Sequence, residues 1–169
     1  MTPEAVAKFR SALSDTIPNL RAFGRALSGN RDMADDLVQE TLVKAWQNRE
    51  SFAEGSNLKA WLFTILRNTY LSDLRKRKRE VADSDGLIAG MVGVPDGQSS
   101  HMELVDFAKA FQKLPPDQRE ALVLVGAEGL PYEEVASMCG CPVGTIKSRV
   151  NRARQRLSEL LAEVPADQQ

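Results

Sequence analysis

The sequence predicts an all-α protein made of two small helical domains joined by a flexible linker. Three observations carry this. Apolar residues recur at helical spacing almost throughout, runs of strict alternation are lacking, and one glycine-rich interval without a basic side chain divides the chain. The expected division is residues 1–80, a linker over 81–101, and residues 102–169.

In the first part, a helix is expected from about Pro3 to Leu27, with Pro18 as a candidate interruption and Ser28-Gly29-Asn30 as its end. A second begins near Arg31. Its apolar stripe is Ala34, Leu37, Val38, Thr41, Leu42, Ala45 and Trp46, and its other face carries Asp32, Asp35, Asp36, Gln39 and Glu40. Ser51 to Asn57, with Gly55, reads as a loop. A third helix starts at Leu58 and runs through Trp61, Leu62, Ile65 and Leu66 toward Arg75-Lys76-Arg77-Lys78-Arg79.

Val81 to Ser100 breaks the periodicity with Gly86, Gly90, Gly93, Pro95 and Gly97. Leu87, Ile88, Met91, Val92 and Val94 give this linker apolar groups that could dock on a partner or on its own domains. Beyond it, Leu104, Phe107, Ala108 and Phe111 form a helical stripe ended by Pro115-Pro116. Pro116, Asp117 and Glu120 suit the first turn of a further helix, which carries Ala121, Leu122 and Val125 to a stop at Gly126–Gly129. Tyr132 to Met138 then reads as a short helix and Cys139-Gly140-Cys141 as a tight turn. Val143 to Leu161 follows as a longer helix with Ile146, Val150, Ala153, Leu157 and Leu161 facing inward. That is helix-turn-helix spacing, with Ala136 small at the crossing and Gly140 supplying the turn.

Composition narrows the function. The chain has 169 residues, 43% of them hydrophobic and 27% charged, which is ordinary globular composition and leaves no room for a large enzyme. There is no continuous apolar leader, and the longest apolar run, Ala121 to Ala127, is far short of a membrane span, so a soluble cytoplasmic protein is expected. Two cysteines and one histidine do not make a zinc site, and Cys139 and Cys141 read as small buried apolar residues. Phosphate-loop and nucleophile-elbow signatures are missing; no metal, cofactor or catalytic residue is expected.

The net charge of −1 points to no partner, but its distribution does. Arg75 to Arg79 form one basic pole and Lys147, Arg149, Arg152, Arg154 and Arg156 another, with an acidic stretch between. Two poles of this kind suit two contacts with one polyanion. Once Val150 and Leu157 face the core, Thr145, Lys147, Ser148, Arg149 and Arg152 lie on or near the exposed face of the last helix. There, cations and hydroxyls can reach base edges in a major groove, and Gly144 allows close approach. In the first domain, Trp61, Phe63 and Tyr70 interleave with Lys59, Arg67 and Asn68, the composition of a surface that holds unstacked bases. Trp61 shares a face with Leu58, Leu62 and Ile65 and belongs to the core; Phe63, Asn68 and Tyr70 are the better platform candidates.

Four blocks, in order, resemble the extracytoplasmic-function (ECF) sigma factors of bacteria. They are Asp35 to Thr41 with Lys44-Ala45-Trp46, Leu58 to Asn68, Leu114-Pro115 with Gln118-Arg119-Glu120, and Tyr132 to Ala136 with Val143 to Arg149. The resemblance implies a promoter-specificity subunit that binds core RNA polymerase, with region 2 at about residues 10–80 and region 4 at about 102–162. It places Asp35, Asp36, Gln39 and Glu40 against the polymerase clamp. It assigns minus-ten recognition and strand opening to Gly55, Ser56, Asn57, Lys59, Phe63, Asn68, Tyr70, Arg75, Lys76 and Arg79. The minus-thirty-five element falls to Pro142, Gly144, Thr145, Lys147, Ser148, Arg149 and Arg152, although Pro142 stands where a capping serine is common. Ser28 to Arg31, Asn57 to Trp61 and Leu124 to Ala127 are similar to the EcfG-like general-stress subgroup of alphaproteobacteria. That finer resemblance implies a small NepR-like anti-sigma factor, displaced by a PhyR-like decoy. The rival readings are a helix-turn-helix regulator that acts without polymerase and a module that only mimics a sigma factor.

Overall fold

A computed structural model describes residues 1–84 and 102–163. The described residues are helical, joined by turns and short loops, and the chain divides into two compact units.

The first unit, in its described residues, is a three-helix assembly of α1 (Pro3–Ser28), α2 (Arg31–Gln47) and α3 (Leu58–Ser84), with a 3-10 turn at Arg49–Ser51. Thr2 starts α1 by accepting the Ala5 N–H on its hydroxyl at 3.1 Å. Pro18 does not break the helix. It and Ser14, whose carbonyl loses its donor, are both exposed, while Leu13, Leu20 and Phe23 anchor the helix on either side. The chain then reverses within two residues. The Gly29 N–H bonds the Arg25 carbonyl at 2.8 Å, and the Asn30 side chain accepts from the Met33 N–H at 3.0 Å to begin α2.

The predicted α2 stripe supplies buried Ala34, Leu37, Val38, Thr41 and Ala45, which meet Leu62, Phe63 and Leu66 of α3 in the core. The buried Thr41 hydroxyl donates to its own helix at the Leu37 carbonyl, 2.7 Å away, so it costs the core little. α1 and α2 approach closely where Gly24 faces Ala34: a Cβ at position 24 would sit 3.2 Å from the Ala34 Cβ. Gly24→Val is therefore expected to cost about 1–3 kcal/mol of stability by overpacking, measured by urea unfolding. An unchanged midpoint would show that the two helices separate freely.

α3 extends to Ser84, so the first residues expected in the linker are helical. The rest of the expected linker, with its apolar residues Leu87 to Val94, lies outside the described residues.

The second unit comprises α4 (Met102–Gln112), α5 (Pro116–Ala121), a π-helical turn at Leu122–Ala127, α6 (Tyr132–Cys139) and α7 (Val143–Ala162). Ala110, Leu114, Ala153, Leu157 and Leu160 cluster at its core, while Leu124, Val135, Ile146 and Val150 are fully enclosed. Three expectations are corrected. Leu160 is buried and Leu161 is exposed, because α7 meets α4 on the side three residues beyond Leu157. Leu124 is fully enclosed and Val125 only half-buried, so the inward position falls three residues after Ala121 and not four. Leu104 and Phe107 are 63% and 44% exposed, so α4 packs through Ala110 and Phe111, with Leu114 just beyond its end, and leaves half its predicted stripe open.

The proline-rich junction is held by side chains. The Arg119 guanidinium donates to the Gln112 and Leu114 carbonyls at 3.1 and 3.0 Å, closing the C-terminal end of α4. Glu120 is buried and accepts from the Cys139 thiol at 2.7 Å, linking α5 to α6. Cys139 and Cys141 are therefore half-buried groups with polar neighbours and not the apolar filler expected.

Candidate nucleic-acid and polymerase interfaces

On α2, the residues opposite the core are available as expected. Asp36, Gln39 and Glu40 are exposed, with Glu40 3.2 Å from Lys44 one turn on. Asp35 is half-buried and pairs with Arg21 of α1 at 3.6 Å, so its charge is partly committed within the unit. Sequence reading missed Val43, which is 55% exposed beside Gln39 and Glu40. An apolar side chain ringed by acids and amides resembles the centre and rim of a docking surface.

The loop leading into α3 holds Gly55, Ser56 and Asn57, all exposed. Asn57 also caps α3, its side-chain oxygen accepting from the Ala60 N–H at 3.2 Å. Behind the loop lies an aromatic cluster that sequence reading did not assemble. Phe52 packs on Trp61 at 5.2 Å between ring centroids and on Phe9 at 5.9 Å, and Arg49 lies 4.5 Å over the Trp46 ring.

Along α3, Asn68 is exposed, and Lys59, Trp61 and Tyr70 are half-buried. Phe63 is corrected. It is fully buried, 5.1 Å from Phe23 between centroids, and cannot present a face to a base. Farther on, Arg75 to Arg79 are all exposed, and Ser72, Arg75, Lys78 and Arg79 line a shallow, open pocket along α3. The helical steps between these residues bring three cations to one side, whereas Lys76 does not line the pocket and Arg77 reaches back to the Met33 sulfur at 3.7 Å.

The helix-turn-helix forms as α6, turn and α7. Gly140 ends α6 with a φ of 66°, a left-handed conformation that a side chain would strain, and the Cys141 N–H then bonds the Ala136 carbonyl at 3.1 Å. Pro142 sits at the start of α7 and provides no side-chain cap. The hydroxyl that would occupy the helix end is thus missing, and Gly144 beside it is exposed. Lys147, Ser148 and Arg152 are exposed, with Lys147 5.7 Å over the Tyr132 ring. Thr145 is half-buried. Asn151, one turn beyond Lys147 and Ser148, is exposed on the same side and was not picked out from the sequence. Arg149 differs from its neighbours: it is half-buried, 3.5 Å from Asp117 of α5 and 4.0 Å from the Cys141 sulfur.

Among the described residues no group of three or more His, Cys, Asp or Glu side chains converges as a metal site, and no helix is long and apolar enough to cross a membrane.

Comparison with known proteins agrees with this layout. Residues 13–80 fit the family described as Sigma-70 region 2, and residues 104–157 fit Sigma-70 region 4. The chain is 60% identical over 152 residues to the ECF RNA polymerase sigma factor EcfG of Rhodopseudomonas palustris, covering 90% of this chain and 84% of that protein. The crystallised sigma factor RpoE of Bartonella quintana, in complex with the anti-sigma factor NepR, superposes with a TM-score of 0.84. It is 54% identical over 94% of this chain and 99% of its own. CnrH, solved with the cytosolic domain of CnrY, superposes with a TM-score of 0.67 at 27% identity, covering 93% of this chain and 89% of its own. With α1–α3 carrying region 2 and the helix-turn-helix carrying region 4, the chain belongs to the ECF RNA polymerase sigma factors.

Proposed function

We propose that this sigma factor docks on core RNA polymerase through the exposed face of α2, reads and opens the minus-ten element with region 2, and reads the minus-thirty-five element with α7. Residues 1–80 and 102–169 act as the two modules on either side of the 81–101 linker. RNA synthesis itself belongs to the polymerase, and the sigma factor works in the cytoplasm without a cofactor of its own.

The observation that carries this reading is that both basic clusters, Arg149 apart, are exposed and differently built. The α3 pocket gathers cations for phosphate. The start of α7 presents Lys147, Ser148 and Arg152 at a helix end that lacks a side-chain cap, suited to base edges and an adjoining phosphate. In region 2, exposed Asn68 and the exposed loop residues Gly55 to Asn57 are the groups offered to an unstacked strand, with half-buried Lys59 and Tyr70 on the other side of α3.

A small NepR-like anti-sigma factor is the proposed regulator, in keeping with the complex formed by the Bartonella relative. The open apolar face of α4, Leu104 and Phe107, gives such a partner a surface to cover. Release of that partner would put stress-response promoters under this subunit's control.

Reconstituted transcription tests the reading: core polymerase with this chain should initiate at promoters that core alone ignores, and a NepR-like protein should suppress it. Equal initiation with and without the chain would refute it. Neutralising Arg75 and Lys78 should weaken binding to all promoters alike and lower the salt dependence by about one unit of slope per lost phosphate contact. Loss confined to particular sequences would instead make them base readers.

A further inference from the structure

Arg149 stands in the middle of the most basic stretch of α7, yet its surroundings differ from those of Lys147, Ser148 and Arg152. Its Nε lies 3.5 Å from Asp117 Oδ2 and its side chain is only 27% exposed. Its Nη1 lies 4.0 Å from the sulfur of Cys141, inside the turn. The other Asp117 oxygen accepts the Gln118 N–H at 2.9 Å, a donor it shares with the Pro115 carbonyl, and the Asp117 side chain is 54% exposed. The carboxylate is thus biased toward this position by a backbone contact, which lowers the freedom it loses on pairing. One guanidinium thus spans the start of α5, the turn and the side of α7.

We infer that Arg149 is a positioning residue and not a DNA contact: with Asp117 it pins α7 to α5, setting the pose in which Lys147, Ser148 and Arg152 meet the minus-thirty-five element. This rests on the proposal that α7 reads DNA. The three candidate roles of an arginine here leave different signatures. A base reader, when removed, relaxes preference at one base pair. A phosphate clamp lowers the salt slope by about one unit. A pin does neither; it weakens every base contact of α7 together and leaves non-specific binding and its salt slope as they were.

The test uses the full chain bound to core polymerase, with a duplex obtained by in-vitro selection with that holoenzyme and a panel of its single-base variants at several salt concentrations. Arg149→Ala and Asp117→Asn should each lower the ratio of selected to random-duplex affinity by about 3- to 5-fold, the scale of a partly exposed pair. The double variant should be no worse than either single one, because both remove the same contact. Asp117→Glu should retain most of the discrimination, and in Asp117→Asn helicity should stay at the parental value, with the thermal midpoint lowered by no more than the few degrees a pair of that size contributes.

The inference is overturned if Arg149→Ala flattens preference at one base pair while Asp117→Asn is silent, or if Arg149→Ala alone lowers the salt slope. Parental discrimination in both single variants would make the pair an idle surface contact. A loss in Asp117→Asn that merely follows lost helicity would reduce the pair to fold stabilisation. If Lys147→Ala and Arg152→Ala also leave discrimination untouched, the failure lies instead in the assignment of α7 as the reader.

Discussion

Replacing Phe63 with alanine is expected to cost region 2 about 3–5 kcal/mol of folding free energy, the range for deleting a fully buried aromatic side chain. The ring is wholly enclosed and packs on Phe23 of α1, with Leu62 and Leu66 beside it on α3, so the loss would open a cavity where all three helices meet. Urea unfolding followed by circular dichroism reads the effect directly. Phe63→Leu should recover most of the stability, since it refills much of the volume without an aromatic face. A base-stacking platform would behave oppositely, with stability near parental and single-strand binding reduced in both variants.

The second large effect is expected at the α2 face. Asp36→Lys should weaken binding to core polymerase by about 30-fold or more, because the acidic face proposed to dock would then present a cation, and like charges across an interface cost several kcal/mol. Asp36 is preferred to Asp35 for this test. Asp35→Lys would confront Arg21 within the same unit and confuse a loss of docking with a loss of fold. Val43→Ala should add a smaller loss of its own, since Val43 is an exposed apolar residue one turn beyond Gln39 and Glu40 on that face. Competition for core enzyme against a second sigma factor measures both. Parental competition by Asp36→Lys, with parental helicity, would remove α2 from the docking surface.

The order and periodicity of the helices were legible in the sequence, as was the helix-turn-helix, because an apolar stripe and a glycine turn are local signals. What failed were questions of which stripe meets what. Phe63 sits four residues from both Lys59 and Arg67, and this neighbourhood reads as a cationic aromatic surface. It also lies three residues from Ala60 and Leu66, and that face is the one buried, the long cationic side chains lying alongside it half-buried. On α4 the stripe Leu104, Phe107 and Phe111 has the spacing of a core face, but spacing alone does not distinguish a face covered by this chain from one left open. Leu160 and Leu161 are adjacent leucines, and the choice between them depended on where α4 lies. Arg149 was indistinguishable from its basic neighbours until Asp117, thirty-two positions away, came beside it. Glu120, read as a first-turn acid, is buried against a thiol on another helix.

The π-helical turn at Leu122–Ala127 also sets an angle. Each residue in an ordinary helix advances the direction of its side chain by about 100° and the axis by about 1.5 Å. The extra residue taken up in that turn therefore rotates the chain leaving it, and with it the heading on which α6 and α7 depart from α5. Removing one residue from Leu122–Ala127 would change the point and the heading at which the chain leaves α5 for residues 128–131 and α6, while every side chain of α7 kept its place on its own helix. The aim of the helix-turn-helix is thus written partly as a residue count in a stretch that never approaches DNA through its own side chains in this reading. A length change there would redirect α7 without altering its chemistry.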